Sequence, residues 1–329
     1  MKPQEINDFF GQLPHLKVVV IGDVMVDAYA WGHSDRMSPE APVPVVQIKN
    51  TENRPGGAAN VALNLVALGV EVALVSLVGT DAHGKQLSLQ LANEGVNATG
   101  LIASEARPTT IKTRIMSGNR QLLRIDEEST ADANQWENEK LLAAFQNAIE
   151  GANAVIFQDY DKGVLHGANI QHLMELCKLR GIPTAVDPKK KNFFTYREAH
   201  LFKPNLKELG DALGQSLQKE NLPSIKAAVS ELQVRLQPKN VLLTLSEAGV
   251  WYESKTESGQ IPAHLRSIAD VSGAGDTVIA VAGCALAAGL HIASIAALSN
   301  LAGGLVCEHL GVVPIKSDKL LAEALKNAE

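Results

Sequence analysis

The chain has 329 residues, of which 46% are hydrophobic and 20% charged, and its formal net charge is −6. This length can bury the core of one α/β domain with a smaller appendage, and the mild acidity gives no support for a nucleic-acid partner. The three widely spaced cysteines predict reduced, packed thiols, and no early apolar run is long enough for a signal peptide. We therefore expect a cytoplasmic protein.

The first segment predicts a strand with acids at its end. Residues 17–22 combine consecutive β-branched side chains with a final glycine, which is typical of a buried parallel strand. Asp23 and Asp27 follow at its carboxyl end, where open α/β sheets bind their ligands. Residues 31–53 then contain Pro39, Pro42 and Pro44, which exclude a helix and predict an exposed edge strand or flap. A flap in this position is typical of a lid.

The following segments combine a glycine pair with a basic hairpin. Gly56 and Gly57 precede a predicted helix over residues 58–68, and a buried strand is predicted over residues 72–78. Residues 109–117 and 121–126 flank Gly118-Asn119-Arg120 and predict a β-hairpin. The hairpin carries several cations, which fit either an anion site or a solvated antiparallel face: Lys112, Arg114, Arg120 and Arg124.

Helices and strands alternate from residue 136 onward. The predicted helices cover residues 136–149, 168–179, 206–213 and 225–236, and the predicted strands cover residues 154–158, 184–186, 200–203 and 241–245. This alternation predicts a parallel sheet with helices on both faces.

The apolar run over residues 278–306 is interrupted by Gly289 and His291, so it predicts two buried helices and no membrane span. No repeat or linker divides the chain. We therefore expect a single domain over residues 1–329, with a lid formed by about residues 30–53 and by the hairpin at about residues 109–127.

A glycine-rich loop precedes these apolar helices, in the order Asp270-Val271-Ser272-Gly273-Ala274-Gly275-Asp276-Thr277. A helix that starts at about Asp276 directs free N–H groups and the positive end of its dipole at the loop. Such a loop binds anions, most often phosphate. The negative charge of Asp276 is unexpected there. From spacing alone, Asp276 is either a helix cap or a base beside the anion site.

Other chemistries lack the residues that they need. Residues 79–85 match the phosphate-binding pattern GxxxxGK, but Gln86 replaces the hydroxyl that holds Mg²⁺ in such loops. The chain has neither the HExxH of zinc hydrolases nor the GxSxG of serine hydrolases, and the glycine-rich loop does not complete a dinucleotide pattern. Phosphoryl transfer remains, because it needs a phosphate cradle, a metal site and a group that orients the nucleophile. Asn205 and Glu208 offer oxygen ligands for Mg²⁺, although the same spacing makes a helix cap.

Three motifs in this order resemble those of the ribokinase (PfkB) family of carbohydrate kinases. Gly56-Gly57-Ala58-Ala59-Asn60 resembles the first family signature, and residues 270–276 resemble the second, D-T-x-G-A-G-D. Residues 205–208 resemble the family's N-x-x-E motif. Val271 and Ser272 depart mildly from the second signature but leave its glycines and both acids intact. The resemblance covers essentially the whole chain and implies a ribokinase-like α/β fold, with a mostly parallel central sheet, flanking helices and a small β-sheet lid.

Within that family, residues 22–27, residues 36–45 and Asp187-Pro188-Lys189 resemble kinase modules that phosphorylate D-glycero-D-manno-heptose 7-phosphate. That reaction belongs to ADP-heptose synthesis for lipopolysaccharide. Some relatives carry a nucleotidyltransferase with an HxGH motif, which this sequence lacks. The alternatives are a related kinase for fructose phosphate, ribose or a nucleoside, and a non-catalytic sugar-phosphate sensor.

The resemblance also implies roles for residues at the two substrates. Asp276 would act as the base, and the N–H groups of Gly273, Ala274 and Gly275 would stabilise the transferring charge. The sugar would contact Asp27, Gly56, Gly57 and Asn60. We expect its existing phosphate to meet the hairpin cations Lys112, Arg114, Arg120 and Arg124, because a doubly charged ester needs compensating charge.

The remaining implied roles concern the nucleotide, the ions and the assembly. ATP would lie near Ser246, Glu247, Gly249 and Asn300, and Mg²⁺ would be positioned by Asn205 and Glu208. Family analogy adds a monovalent cation such as K⁺ near Asp270 and Ser272. It also implies a homodimer formed through the lid strands.

Overall fold

The computed structural model describes residues 1–118, 120–264 and 268–328, and the predicted hairpin residue Asn119 lies outside them. The strands of this part of the chain are β1 Lys17–Gly22, β2 Val24–Met37, β3 Pro44–Gly57, β4 Glu71–Gly79, β5 Asn97–Ser104, β6 Ile111–Ser117, β7 Arg120–Glu127, β8 Ala154–Gln158, β9 Thr184–Asp187, β10 Leu201–Phe202, β11 Asn240–Thr244, β12 Val250–Ser254 and β13 Ser258–Ile261. Its α-helices are α1 Pro3–Gln12, α2 Ala58–Ala67, α3 Ala82–Asn93, α4 Gln135–Ala148, α5 Gly167–Leu179, α6 Leu206–Leu213, α7 Leu222–Leu236, α8 Ala274–Ala287, α9 Ile292–Val306 and α10 Ser317–Lys326.

The large sheet has nine strands in the order β13-β12-β11-β10-β9-β8-β1-β4-β5. Its pairs are parallel except for β11 with β12 and β12 with β13. Val18 and Val20 of β1 pack into the core with α2, α8 and α9, whereas Val19 and Ile21 pack into the core with α4, α5 and α7. Alternating side chains therefore reach opposite helical layers, and the predicted mostly parallel sheet with flanking helices is confirmed.

A separate four-stranded sheet has the order β3-β2-β6-β7. Residues 31–53 were expected to form an exposed edge strand or flap, and most of them belong to two long strands, because β2 and β3 each span 14 residues and pair antiparallel. The prolines near Pro44 still lie at a sheet edge, because β3 is the outer strand and Pro44 begins it. The predicted hairpin is β6 with β7, and β6 pairs parallel with β2.

The apolar run of residues 278–306 forms α8 and α9, as predicted, and a glycine at position 289 separates them with a φ of +76°. None of the helices in the described part of the chain has the length and apolarity needed to cross a membrane. The three cysteines are free, and Cys177 and Cys284 are buried, as their spacing predicted. Sequence patterns did not assign α1, α3, α10, β5, β12 or β13.

The fold brings the ends of four adjacent parallel strands to one edge. In spatial order, β10, β9, β8 and β1 lie side by side, and their carboxyl ends lead to Asn205, Asp187, Tyr160 and Asp23. The chain runs directly from β1 through Asp23 into β2, so the small sheet starts at the same edge. This edge is where open α/β sheets bind ligands.

Candidate active site

Asp276 lies in the first turn of α8 and is 4% exposed. Asn60 Nδ2 donates to its Oδ2 at 2.8 Å, and Tyr160 Oη and Gln158 Nε2 donate to its Oδ1 at 2.7 and 3.1 Å. The N-cap position belongs to Gly273, with a φ of +78° and no side-chain cap bond. The helix-cap interpretation of Asp276 is therefore wrong, because its carboxylate accepts hydrogen bonds from side chains of other elements.

Burial raises the pKa of Asp276 to about 7, and the carboxylates of Asp187 and Asp27 add to this effect. The hydrogen bonds from Asn60 and Tyr160 oppose it, because they stabilise the charged form. A carboxyl group with a pKa near neutrality is a better proton acceptor than an ordinary aspartate.

The glycines of both signatures let neighbouring backbone and side-chain groups pack closely around Asp276. Gly57 has a φ of +59°, and a Cβ atom there would lie 2.5 Å from the carbonyl oxygen of Asp23. A Cβ atom at Gly273 would lie 2.9 Å from Asn60 Nδ2, the group that donates to Asp276. Any side chain at these two positions would displace the backbone or the donor.

The hairpin cations lie on the small sheet and are largely paired with acids. Arg114 donates to Asp27 Oδ1 at 2.5 Å, so a residue predicted to bind the sugar phosphate contacts one predicted to bind the sugar hydroxyls. Lys112 contacts both Asp126 and Glu128 at 3.0 Å. Arg124 makes two hydrogen bonds to Asp126, and Arg120 is exposed at the start of β7.

The N-x-x-E residues form a reciprocal helix cap at the start of α6. Asn205 Oδ1 accepts from the N–H of Glu208, and Glu208 Oε2 accepts from the N–H of Asn205, both at 2.8 Å. The other oxygen of Glu208 pairs with Lys189, whose ammonium lies 5.1 Å from the centre of the Tyr160 ring. The cap interpretation therefore holds, and Lys189 links Glu208 to Tyr160, a donor of Asp276.

Asp187 is a further acid at this edge of the sheet. Sequence analysis used it only as part of a resemblance. Its Oδ2 is 3.0 Å from Lys203 Nζ and 3.3 Å from Gln158 Nε2, and its Oδ1 is buried without a partner. An unpartnered carboxylate oxygen at this edge of the sheet fits a Mg²⁺ ion held through water and phosphate. Among the described residues, no three acids, histidines or cysteines lie close enough to hold a metal ion by themselves.

The predicted nucleotide residues lie around the turn after β11. Ser246 begins this turn with a φ of +54°, and Gly249 ends it with a φ of +87°. A Cβ atom at Gly249 would lie 2.0 Å from the carbonyl oxygen of Ile261, and Asn300 Nδ2 donates to the carbonyl of Pro262 at 2.8 Å. Gly249 and Asn300 therefore both contact the segment of Ile261 and Pro262. Glu247 is exposed and pairs with Lys219.

The predicted monovalent-cation residues form a small polar cluster beside the loop. Asp270 Oδ1 accepts from the N–H and the hydroxyl of Ser272 at 2.9 Å, and its Oδ2 accepts from the N–H of Gly311 at 2.9 Å. Partial burial acts to raise the pKa of Asp270, but these hydrogen bonds outweigh it, so the pKa is lowered. The carboxylate is therefore ionised at neutral pH.

Sequence analysis missed Gln158 and Tyr160, which supply two of the three donors to Asp276. A signal for them existed, because Gln158 ends a predicted buried strand and Tyr160 follows it, as Asp23 follows β1. Asp23 itself is buried and accepts N–H groups from Tyr160, Lys162 and Val164 at 2.8 to 3.1 Å. It orders the loop that carries Tyr160.

Together, the sheet topology and this edge define a ribokinase-like kinase fold, with a glycine loop and a buried acid at a helix start. A family model described as pfkB family carbohydrate kinase matches residues 15–319. The chain belongs to this family of carbohydrate kinases.

Relatives with similar sequences agree with the family assignment. The chain is 37% identical over 325 residues to the bifunctional protein HldE of Desulfatibacillum aliphaticivorans, covering 98% of this chain and 66% of that protein. It is 40% identical over 305 residues to the bifunctional protein HldE of Coxiella burnetii (strain Dugway 5J108-111), covering 92% and 62%. The chain thus spans slightly less than two-thirds of the length of these relatives.

Two solved structures show the same fold at low sequence identity. Phosphofructokinase-2 from Escherichia coli, in complex with potassium, superposes with a TM-score of 0.79 at 18% identity, covering 94% of this chain and 98% of that one. Ribokinase from Arabidopsis thaliana, complexed with ribose and ATP, gives a TM-score of 0.74 at 21% identity, covering 94% and 99%.

Proposed function

We propose that this kinase transfers the γ-phosphoryl group of ATP to O1 of D-glycero-D-manno-heptose 7-phosphate, giving the 1,7-bisphosphate for ADP-heptose and lipopolysaccharide synthesis. The observation that carries the chemistry is Asp276, a buried carboxylate at the start of α8 with a pKa near neutrality. The choice of acceptor is supported by the resemblance of residues 22–27, 36–45 and 187–189 to heptose-phosphate kinases, and by relatives named bifunctional protein HldE.

In the proposed step, Asp276 accepts the proton from O1 while O1 forms a bond to the γ-phosphorus. The bond from that phosphorus to the β,γ-bridging oxygen breaks, and ADP leaves. The N–H groups at Gly273, Ala274 and Gly275 stabilise the charge on the transferring group, since the first N–H groups of a helix have no intrahelical acceptor. Orientation of the two substrates provides much of the rate enhancement, because the transition state is loose and the O1 proton is removed late in the step.

The sugar is proposed to bind between the sheet edge and the small sheet, which acts as a lid. Asp27, Gly56, Gly57 and Asn60 contact its hydroxyl groups in this proposal. Its 7-phosphate replaces the acids that now pair with the lid cations Lys112, Arg114 and Arg124, and it also meets the exposed Arg120. Because one anionic partner replaces another, the positive charge of these cations stays balanced.

ATP is proposed to lie on the other side of the glycine loop, near Ser246, Glu247, Gly249 and Asn300. Asn205, Glu208 and Asp187 hold the waters of Mg²⁺, which neutralises phosphate charge when bound. Asp270 and Ser272 hold K⁺ in this proposal, because an ionised carboxylate and a hydroxyl are suitable oxygen ligands for it.

An acceptor panel tests the proposed substrate. Initial rates of ADP formation are compared for heptose 7-phosphate, fructose 6-phosphate, ribose and a nucleoside, each with ATP and Mg²⁺. We expect kcat/KM to be highest for heptose 7-phosphate, and NMR of the product to show the new phosphate on C1. A higher value for another acceptor would replace the proposed substrate, and tight sugar binding without any turnover would indicate a sensor.

Replacement of the base tests the mechanism. We expect Asp276→Asn to lower kcat by about 100-fold or more, because general-base catalysis is lost, while ATP affinity changes little. Calorimetric titration with ATP is the control for an intact nucleotide site. Turnover near that of the wild type would remove Asp276 from the role of base.

We further propose that two copies associate through the face of the small sheet that points away from the cleft. Side chains alternate along β7, so Leu123 and Ile125 lie on the face opposite to Arg124. Both are well exposed, at 56% and 46%. Burial of this apolar face in a second copy would remove it from water.

A further inference from the structure

The two oxygens of Asp276 are not equivalent. Oδ1 accepts two hydrogen bonds, from Tyr160 Oη at 2.7 Å and from Gln158 Nε2 at 3.1 Å. Oδ2 accepts one, from Asn60 Nδ2 at 2.8 Å. Each carboxylate oxygen has two lone-pair sites, so Oδ1 is filled and Oδ2 keeps one site for another partner.

We propose that Tyr160 is a positioning residue for the base: with Gln158 it occupies Oδ1, so that the O1 proton of the sugar is transferred to Oδ2. This inference rests on the proposed role of Asp276. Tyr160 does not change its own protonation state in the step. Its O–H bond stays intact while the proton moves from O1 to Oδ2 and the new bond forms between O1 and the γ-phosphorus.

The surroundings of Tyr160 hold it in this position. The backbone N–H of Tyr160 donates to Asp23, and a Cβ atom at Gly57 would lie 3.5 Å from the tyrosine ring. The ammonium of Lys189 lies 5.1 Å from the ring centre and also pairs with Glu208. The ring therefore lies between the first signature and the N-x-x-E motif.

The phenol remains a donor over the working pH range. Burial raises its pKa well above the ordinary range for tyrosine, and the carboxylates of Asp276 and Asp187 raise it further. A donor to the charged form lowers the pKa of a carboxyl group, so loss of this hydroxyl raises the pKa of Asp276.

The test is the pH dependence of kcat/KM in Tyr160→Phe, which keeps the ring and removes the donor. A hydrogen bond to a charged group contributes about 1.5 to 3 kcal/mol, so we expect the acid limb to move to higher pH by about 1 to 2 units. The rate above that limb should recover to within about tenfold of the wild type. An unmoved acid limb overturns the proposal, because a role in packing alone changes the rate without moving the limb.

Tyr196→Phe is the matched control. Tyr196 is fully buried, and its hydroxyl donates to a different buried acid, Asp159, at the same distance of 2.7 Å. We expect this variant to have a lower melting temperature and an unmoved acid limb. If its acid limb moves as far as that of Tyr160→Phe, the effect is not specific to the base and the proposal fails.

Asp276→Asn separates this proposal from the proposed function. If that variant keeps near-normal turnover, Asp276 is not the base and both ideas fail. If it is inactive while Tyr160→Phe has an unmoved limb, only the positioning role fails.

Should Tyr160→Phe not fold, uniform replacement of tyrosine by 3-fluorotyrosine in the wild-type chain gives a second test. Fluorination makes the phenol a stronger donor, so we expect the acid limb to move to lower pH, both in the wild type and in Tyr196→Phe. An unmoved limb overturns the proposal.

Discussion

Asp276 combines burial with negative charge, and this combination has a thermodynamic cost. Its pKa is about 7 in the folded chain, against 3.8 for an ordinary aspartate. The folded state therefore binds a proton more tightly than the unfolded state, so this residue's contribution to stability falls as the pH rises from about 4 to about 7. Asp23 behaves in the same way, because burial and then the neighbouring Asp159 raise its pKa to about 7.

Asp276→Asn should reveal this cost as a change in stability with pH. Relative to the wild type, we expect its free energy of unfolding to rise by roughly 2 to 4 kcal/mol between pH 4 and pH 8, because the variant has no charge to bury. Urea unfolding at the two pH values measures the change.

Asp270→Asn is the opposite control, since the pKa of Asp270 is lowered in the folded chain. Its free energy of unfolding relative to the wild type should change little over the same pH interval, because the lowered pKa of Asp270 lies below that interval. An equal response of both variants would contradict the assignment of the raised pKa to Asp276.

The position of α8 depends on close packing against β8. A Cβ atom at Gly283 of α8 would lie 2.4 Å from Cδ1 of Ile156 in β8. This approach brings the start of the helix to the carboxyl end of the strand, where Gln158 and Tyr160 reach Asp276. The small residues of α8 therefore have a role in the geometry of the site as well as in the core.

Gly283→Ala tests this packing. Overpacking should lower the free energy of unfolding by about 1 to 3 kcal/mol, even though alanine favours helix by about 1 kcal/mol. Adding Ile156→Val removes the nearest atom, and we expect the pair to recover part of the loss in a double-mutant cycle.

Gly11→Ala is the matched control, because Gly11 also lies in a helix, α1, and a Cβ atom there would meet nothing within 4 Å. It should be neutral or stabilising. A Gly283→Ala variant as stable as Gly11→Ala would show that the contact with Ile156 relaxes freely.

At the scale of the whole molecule, the small sheet presents two different faces. One carries Asp27, Lys112 and Arg114 toward the cleft, and the other carries exposed apolar side chains such as Leu123 and Ile125. Arg54 of β3 ties this sheet to the segment after α9, since it donates to the carbonyls of Leu310 and Val312 at 3.1 Å. Any movement of the sheet must therefore involve that segment.

Ile125→Asp tests the proposed dimer. We expect the wild type to be a dimer at micromolar concentration by light scattering, and Ile125→Asp to shift the population toward monomer, because a charge buried in an apolar interface is unfavourable. Val234→Asp, at an apolar residue of α7 that is 77% exposed, is the control and should not change the mass. A monomeric wild type over the whole concentration range would exclude the dimer.

Much of the fold could be predicted because its signals are local. The helix over residues 206–213 and the strand over residues 154–158 have the predicted bounds, since each has a clear periodicity and clear flanking residues. The length and pairing of β2 and β3 were not predicted, because polar residues and prolines gave no regular alternation and pairing between the two strands stabilises them.

The sequence by itself determined the family, the parallel sheet, and the glycine loop that leads into α8, because motif spacing and periodicity are properties of neighbouring residues. Only the tertiary structure decided which groups surround Asp276. Its donors Tyr160, Gln158 and Asn60 are 116, 118 and 216 residues away along the chain. The pKa near 7 arises from burial, which outweighs the opposing effect of these donors, and the difference between the two oxygens arises from the donors themselves. Neither property can be read from local sequence.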